Sequence, residues 1–125
     1  LSDKMIKNAR SKYVNPNLRL LVSDFFNVHE TGFDTIFLYN AYPHFLDKSR
    51  FSIHMSEMLK TGGRFMIAHG EGRDSINIHH TGKAVSKLSC GLKSAEEEKA
   101  NFSQAFNIDM IADTDEIYFF SGTKK

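Results

Sequence analysis

Cysteine is almost missing from this chain: Cys90 stands alone among 125 residues. One thiol cannot close an internal disulfide, so the sequence reads as that of a protein kept in a reducing compartment, the cytoplasm. Neither sign of charge is in excess, with 16 Lys and Arg against 15 Asp and Glu. That balance leaves no electrostatic footprint for nucleic acid or an anionic membrane as partner. No apolar run approaches the ~20 residues of a membrane span, and no signal peptide opens the chain. No repeat, low-complexity tract or linker divides it, which predicts one domain over residues 1–125. What remains is 41% hydrophobic and 25% charged residues, enough for one packed core in an ordinary globular fold. The start is unusual, because Leu1 is not a methionine and the residues after it already read as helix.

Local signals order the elements. Ser2 can cap a helix whose Met5, Ile6 and Ala9 share a face, and Asn15 before Pro16 must end it. LRLLV (18–22) reads as a short buried strand, and FDTIFLYN (33–40) as a second. Asp47 can cap a helix carrying Phe51, Met55, Met58 and Leu59 at helical spacing, closed by the glycines of KTGG. RFMIAH (64–69) is the third strand. Ser94 with Glu97 makes a capping box. FNIDMIAD and EIYFFSG, separated by Asp113, Thr114 and Asp115, read as an antiparallel hairpin. Helices alternating with strands predict an α/β sandwich of five strands, the first three parallel.

Open parallel sheets take ligands beyond the carboxyl ends of their strands, so the tails after the strands matter most. They are SDFFN, NAYPHF and HGEGRDSINIHH. Asp24 beside Phe25 and Phe26 could accept from an exocyclic amine and pack on a purine, or could simply cap a turn over core aromatics. Asn40, Tyr42 and His44 surround the rigid Pro43; His44 could be a base or a hydrogen-bonded loop residue. In the third tail, adjacent His79 and His80 point apart, and no CxxC or HExxH spacing supports a metal. Arg73, Asn77 and His80 instead lie at i, i+4 and i+7, on one face of a short helix fed by His69. A guanidinium, an amide and imidazoles there could grip a carboxylate or carry a proton, or could form a solvated polar turn.

Taken in order, LSDKMIKNAR, SDFFN, FDTIFLYNAYPHFLD, LKTGGRFMIAHG and the last helix with its hairpin resemble class I S-adenosylmethionine-dependent methyltransferases of the type 11 kind. The resemblance implies a Rossmann-like sandwich with a mostly parallel sheet and a C-terminal antiparallel hairpin. It implies S-adenosylmethionine as cofactor and methyl transfer to a small-molecule acceptor. By the same resemblance Leu1, Ser2, Met5, Asp24, Phe25, Asn40 and Ala41 would border the cofactor, with Asp24 on the adenine amine. His69 or His44 would act as base, and Arg73, Asn77 and His80 would face the acceptor.

The family's glycine-rich loop and the acid that follows its second strand have no counterpart here. The only Gly-x-Gly, Gly70-Glu71-Gly72, follows a different strand. The chain is therefore expected to be the last two-thirds of such a domain, its N-terminal part missing. In the family's sheet order, 3-2-1-4-5-7-6, the absent strands would separate LRLLV from FDTIFLYN and leave both with open edges. Such edges could pair with a second copy, so self-association and weak cofactor binding are expected. The competing readings are a non-catalytic α/β binding or self-associating module, and a histidine-dependent metallohydrolase.

Overall fold

In the computed structural model, residues 2–80 and 91–125 are described, apart from the His80 side chain. The chain divides into two compact units, Leu1–Glu30 and Thr31–Lys125.

In the first unit, helix α1 spans Asp3–Lys12. Ser2 accepts from the Met5 N–H at 3.2 Å, and Asp3 stands at the positive end of the helix dipole. None of its residues is buried. Residues 18–22 correct the sequence-based expectation, because they form no strand. Their apolar side chains are open to solvent, with Leu18 45%, Leu21 48% and Val22 39% exposed. The physical reason is the lack of a neighbour: this unit has no strand among its described residues to complete a ladder. Arg10 Nη2 donates to the Leu20 carbonyl at 2.9 Å, and Arg19 pairs with Glu30.

The second unit holds β1 (Phe33–Tyr39), α2 (Lys48–Met58), β2 (Leu59–His69), α3 (Arg73–His80), α4 (Ala95–Glu98), β3 (Phe106–Asp113) and β4 (Tyr118–Lys124). The sheet order is β1-β2-β4-β3. Among the described residues there are four strands against the expected five, and the sheet is mixed rather than mostly parallel. Among the described strands β1 and β2, joined by the α2 crossover, are the parallel pair. Strand β4 lies antiparallel to β2 and to β3. The helix caps follow the sequence: Asp47 accepts from the Arg50 N–H, and Ser94 with Glu97 completes the capping box. The KTGG glycines do not cap α2. Leu59 already pairs with Phe33 and the next pair is Thr35 with Arg64, so Lys60–Gly63 bulge out of β2. Gly62, at φ +74°, supplies the left-handed residue that the bulge needs.

The alternation of β2 builds the core. Phe65, Ile67 and His69 point to one face, opposite Gly122, Phe120 and Tyr118 of β4. Phe102 stacks on Phe65 at 4.9 Å, and Tyr42 meets Phe120 edge-on at 5.6 Å. Phe51, Phe65, Phe102 and Phe120 are wholly buried, each worth roughly 1.5–3 kcal/mol in area alone. On the opposite face, Arg64 of β2 grips Asp109 of β3 with both terminal nitrogens, at 3.0 and 2.6 Å. Ser121 of β4 donates to the same carboxylate at 2.9 Å, so three strands are tied side by side. The hairpin turn is as expected: the Thr114 N–H donates to the Ile117 carbonyl at 2.9 Å.

Candidate functional site

Because β4 runs antiparallel to β2, the β3–β4 turn emerges on the same sheet edge as the carboxyl ends of β1 and β2. Two of the sequence-predicted residues meet there. Asn40, just past β1, has φ 51°, a left-handed conformation that Asn tolerates better than most residues. Its N–H donates to the Ala68 carbonyl at 2.9 Å, and its Oδ1 accepts from the Gly70 N–H at 3.3 Å. One side chain thus joins the ends of the two parallel strands.

His69 ends β2, 3% exposed. Its ring meets Tyr118 edge-on at 6.0 Å. The Tyr118 hydroxyl donates to the Lys93 carbonyl at 3.2 Å. Burial, then the charges of Glu98 and Asp113, push the Tyr118 phenol above its ordinary range. A cavity of about 190 Å³ opens beside His69, lined by Asn40, His69, Glu71, Ile76 and His79. At its rim Glu71 Oε2 accepts from the Ser75 hydroxyl at 2.7 Å and lies 3.7 Å from His79 Nε2.

The expected trio on α3 is distributed differently. Arg73 Nε stands 3.8 Å from Asp113 Oδ2, over a smaller hollow of about 100 Å³ at the hairpin turn. The same Asp113 oxygen accepts from the Ala95 N–H at 3.0 Å, so Arg73 is directed at the start of α4. Asn77 donates to the Leu92 carbonyl at 3.0 Å and accepts from the Leu92 N–H at 2.6 Å, so its amide clasps backbone. The His80 side chain lies outside the described residues. Glu71 and His79 were not singled out beforehand as acceptor-facing. Their signal is the recurrence of Glu71, Ser75 and His79 every four residues, the phase that puts side chains on one helical face.

After Asn40 comes Ala41, then a 3-10 turn over Tyr42–His44. His44 is exposed and does not line the cavity beside His69. Tyr42 is buried beneath it, and its hydroxyl donates to Glu98 Oε2 at 2.8 Å. Asn101 Nδ2 donates to the same oxygen at 2.9 Å, and the Lys93 N–H to Oε1 at 3.3 Å. Lys48 donates to the Tyr42 carbonyl at 2.6 Å and sits over the Tyr42 ring. The loop beyond β1 is therefore anchored to the α4 region through a buried carboxylate.

In the first unit, Asp24 caps a 3-10 turn, Oδ1 accepting from the Phe26 N–H at 2.9 Å. Its second oxygen carries no hydrogen bond within the described residues, which suits it to accept from an amine. The Phe25 and Phe26 rings meet edge-on at 5.8 Å. Ser2 is engaged as the α1 cap, Met5 is 71% exposed, and Leu1 lies outside the described residues. Among the described residues no three His, Cys, Asp or Glu side chains cluster as metal ligands, and no helix is long and apolar enough to cross a membrane.

Residues 1–67 match a family described as "Methyltransferase domain". No curated protein sequence matches the chain. Among solved structures, a complex of the Haloferax volcanii Trm112 methyltransferase activator with a protein described as a methyltransferase is similar at 20% identity. That match has TM-score 0.76 and covers 98% of this chain and 69% of that one. An S-adenosylmethionine-dependent methyltransferase from Mesorhizobium loti is similar at 13% identity, with TM-score 0.75 and coverage of 99% and 77%. The N-methyltransferase NodS from Bradyrhizobium japonicum, solved with S-adenosyl-L-homocysteine, gives TM-score 0.54 at 12% identity, covering 82% and 52%. At these identities the likeness is one of fold, and it is an α/β Rossmann-like one.

Proposed function

The chain belongs to the methyltransferase domain family, and from that premise we propose that it methylates a small-molecule acceptor at the carboxyl edge of β1 and β2. The cofactor of this family reading is S-adenosylmethionine. When bound, it supplies a methyl group on a sulfonium, which a lone pair on the acceptor displaces. The observation that carries the reading is the Asn40 clasp. It brings the end of β1 to Gly70 and places His69 beside an open cavity at the edge where such sheets bind ligands.

The side chains present suit the group. Asp24 offers a carboxylate oxygen to the adenine amine, and Phe25 offers a ring to its face. The family resemblance assigns Leu1, Ser2 and Met5 to the adenine and Asn40 and Ala41 to the methionine end. For the acceptor, positioning dominates, since holding two reactants in line converts a bimolecular step into an intramolecular one. A base is required only for an acceptor that arrives protonated. His69 is the better placed of the two candidates, because it borders the cavity and His44 does not. Arg73 and Asn77 would shape the acceptor side indirectly, by holding α4 and Leu92. His80 keeps its proposed acceptor-facing role from the family resemblance. A cytoplasmic setting follows from the single cysteine.

Isothermal titration of the 125-residue chain with S-adenosylhomocysteine tests this. A saturable heat that Asp24→Ala weakens at least tenfold supports it. No heat at millimolar ligand, or a heat indifferent to Asp24→Ala, overturns it. One observation favours a second, self-associating reading. Among the described residues strand β1 has β2 alone beside it, and Phe37 and Tyr39 on it are each 57% exposed. Pairing of two β1 edges would give a concentration-dependent sedimentation coefficient, and a monomer at all concentrations rejects it.

A further inference from the structure

The cavity beside His69 carries information about what enters it. Among the described residues, Asn40, His69, Glu71, Ile76 and His79 line it, and none of these carries a guanidinium or an ammonium. The nearest basic candidate by sequence, Arg73, is turned away toward Asp113. Glu71 is the carboxylate among these described lining residues, and an anionic group entering the cavity would meet it. Of the Glu71 carboxylate, Oε2 is occupied by the Ser75 hydroxyl, and Oε1 carries no hydrogen bond within the described residues. The cavity has a volume of about 190 Å³, below the roughly 300–1,000 Å³ of sites that enclose a whole small molecule. It suits one end of a molecule rather than the whole of it.

We propose that this cavity binds the amino group of the methyl acceptor, with Glu71 as the anchoring carboxylate and Ile76 as the apolar wall beside it. The inference rests on the methyltransferase reading for the word acceptor, and on the lining residues for the word amino. An alkylamine is protonated at neutral pH, with an ordinary value near 10, so it arrives as an ammonium. It therefore gains a charge-assisted hydrogen bond to Glu71. The amide oxygen of Asn40 already accepts from the Gly70 N–H, which leaves Glu71 as the carboxylate acceptor among the described lining residues.

The test uses the 125-residue chain labelled with ¹⁵N and three probes of equal size: propylamine, propionate and propanol. Propylamine should shift the Gly70, Glu71, Ile76 and His79 amides saturably, and propionate should leave them unmoved. Glu71→Gln should weaken the amine at least tenfold with the rest of the spectrum native. Ser75→Ala guards against a folding artefact: it frees Oε2, so amine binding should hold or tighten. Equal responses to propionate and propylamine overturn the inference, as does undiminished amine binding in Glu71→Gln. A loss in Ser75→Ala matching that in Glu71→Gln also overturns it. S-adenosylhomocysteine titrated in parallel separates the two levels. Its binding without an amine response sinks the amine subsite alone. An amine response without it leaves the subsite standing and sinks the methyltransferase reading.

Discussion

Removing the Glu98 carboxylate should loosen the loop that carries Tyr42 and His44, and the size of the effect can be worked from the structure. Glu98 is 3% exposed and accepts from the Tyr42 hydroxyl, the Asn101 amide and the Lys93 N–H. In Glu98→Ala, Asn101 and Lys93 are near enough to the surface for water to replace the lost acceptor. The wholly buried Tyr42 hydroxyl is not. Leaving a buried donor without its acceptor costs about 1–3 kcal/mol. Part of the lost hydrogen bonding is offset because a carboxylate no longer has to be desolvated. The expected total is about 2–4 kcal/mol, a large share of the ~5–15 kcal/mol that holds a domain together. At ~4 °C per kcal/mol the melting midpoint should fall by about 8–16 °C.

Tyr42→Phe removes the stranded hydroxyl itself, so the double variant should recover about 1–3 kcal/mol of the summed losses. Urea unfolding followed by circular dichroism, on the wild type, both single variants and the double variant, measures the coupling. Losses that add to within ~0.5 kcal/mol would show that the carboxylate and the hydroxyl do not depend on one another, and would refute the reasoning.

The other expectations concern separate parts of the second unit. A Cβ on Gly72 would stand 2.4 Å from the Asp115 carbonyl oxygen and 2.7 Å from that of Thr114. Gly72→Ala should therefore push α3 off the hairpin turn and cost about 1–3 kcal/mol in a chemical melt. Asn77→Ala should speed hydrogen exchange at the Leu92 N–H, while Asn77→Asp, which keeps the acceptor, should speed it less; equal rates in wild type and Asn77→Ala would contradict the clasp. The Arg64 guanidinium, helped by the Ser121 hydroxyl, holds the Asp109 carboxyl below the ordinary carboxylate range. A lowered folded value means that its contribution is complete above the unfolded value of ~3.9 and is lost as pH falls through the folded one. Urea midpoints measured from pH 5 downward should thus decline less steeply in Asp109→Asn than in the wild type. Burial raises the Tyr118 phenol, so its contribution is complete below ~10 and is lost only as pH rises beyond that. Tyr118→Phe should flatten the alkaline decline, and identical alkaline limbs would count against it.

Sequence alone determined the features that depend on neighbours along the chain. Ser2, Asp47 and the Ser94–Glu97 pair cap helices because each oxygen reaches an N–H three residues on. The alternation of Phe65, Ile67 and His69, and the turn at Thr114, likewise express short-range geometry. That Asn40 and His69 stand at the sheet's carboxyl edge was legible because each lies where a strand ends, and strand ends can be read from pattern. Tertiary structure decided the rest. LRLLV has the composition of a strand, yet a strand exists only where another offers it a ladder, and no local signal reports a missing neighbour. Arg73, Asn77 and His80 share a helical phase, but phase does not say which element each side chain meets. Asp113 lies forty residues from Arg73, and Leu92 fifteen from Asn77. Once those partners took the guanidinium and the amide, the face left toward the cavity was that of Glu71, Ile76 and His79. The chemistry of a pocket is set by what remains uncommitted after packing, and packing is a property of the whole fold.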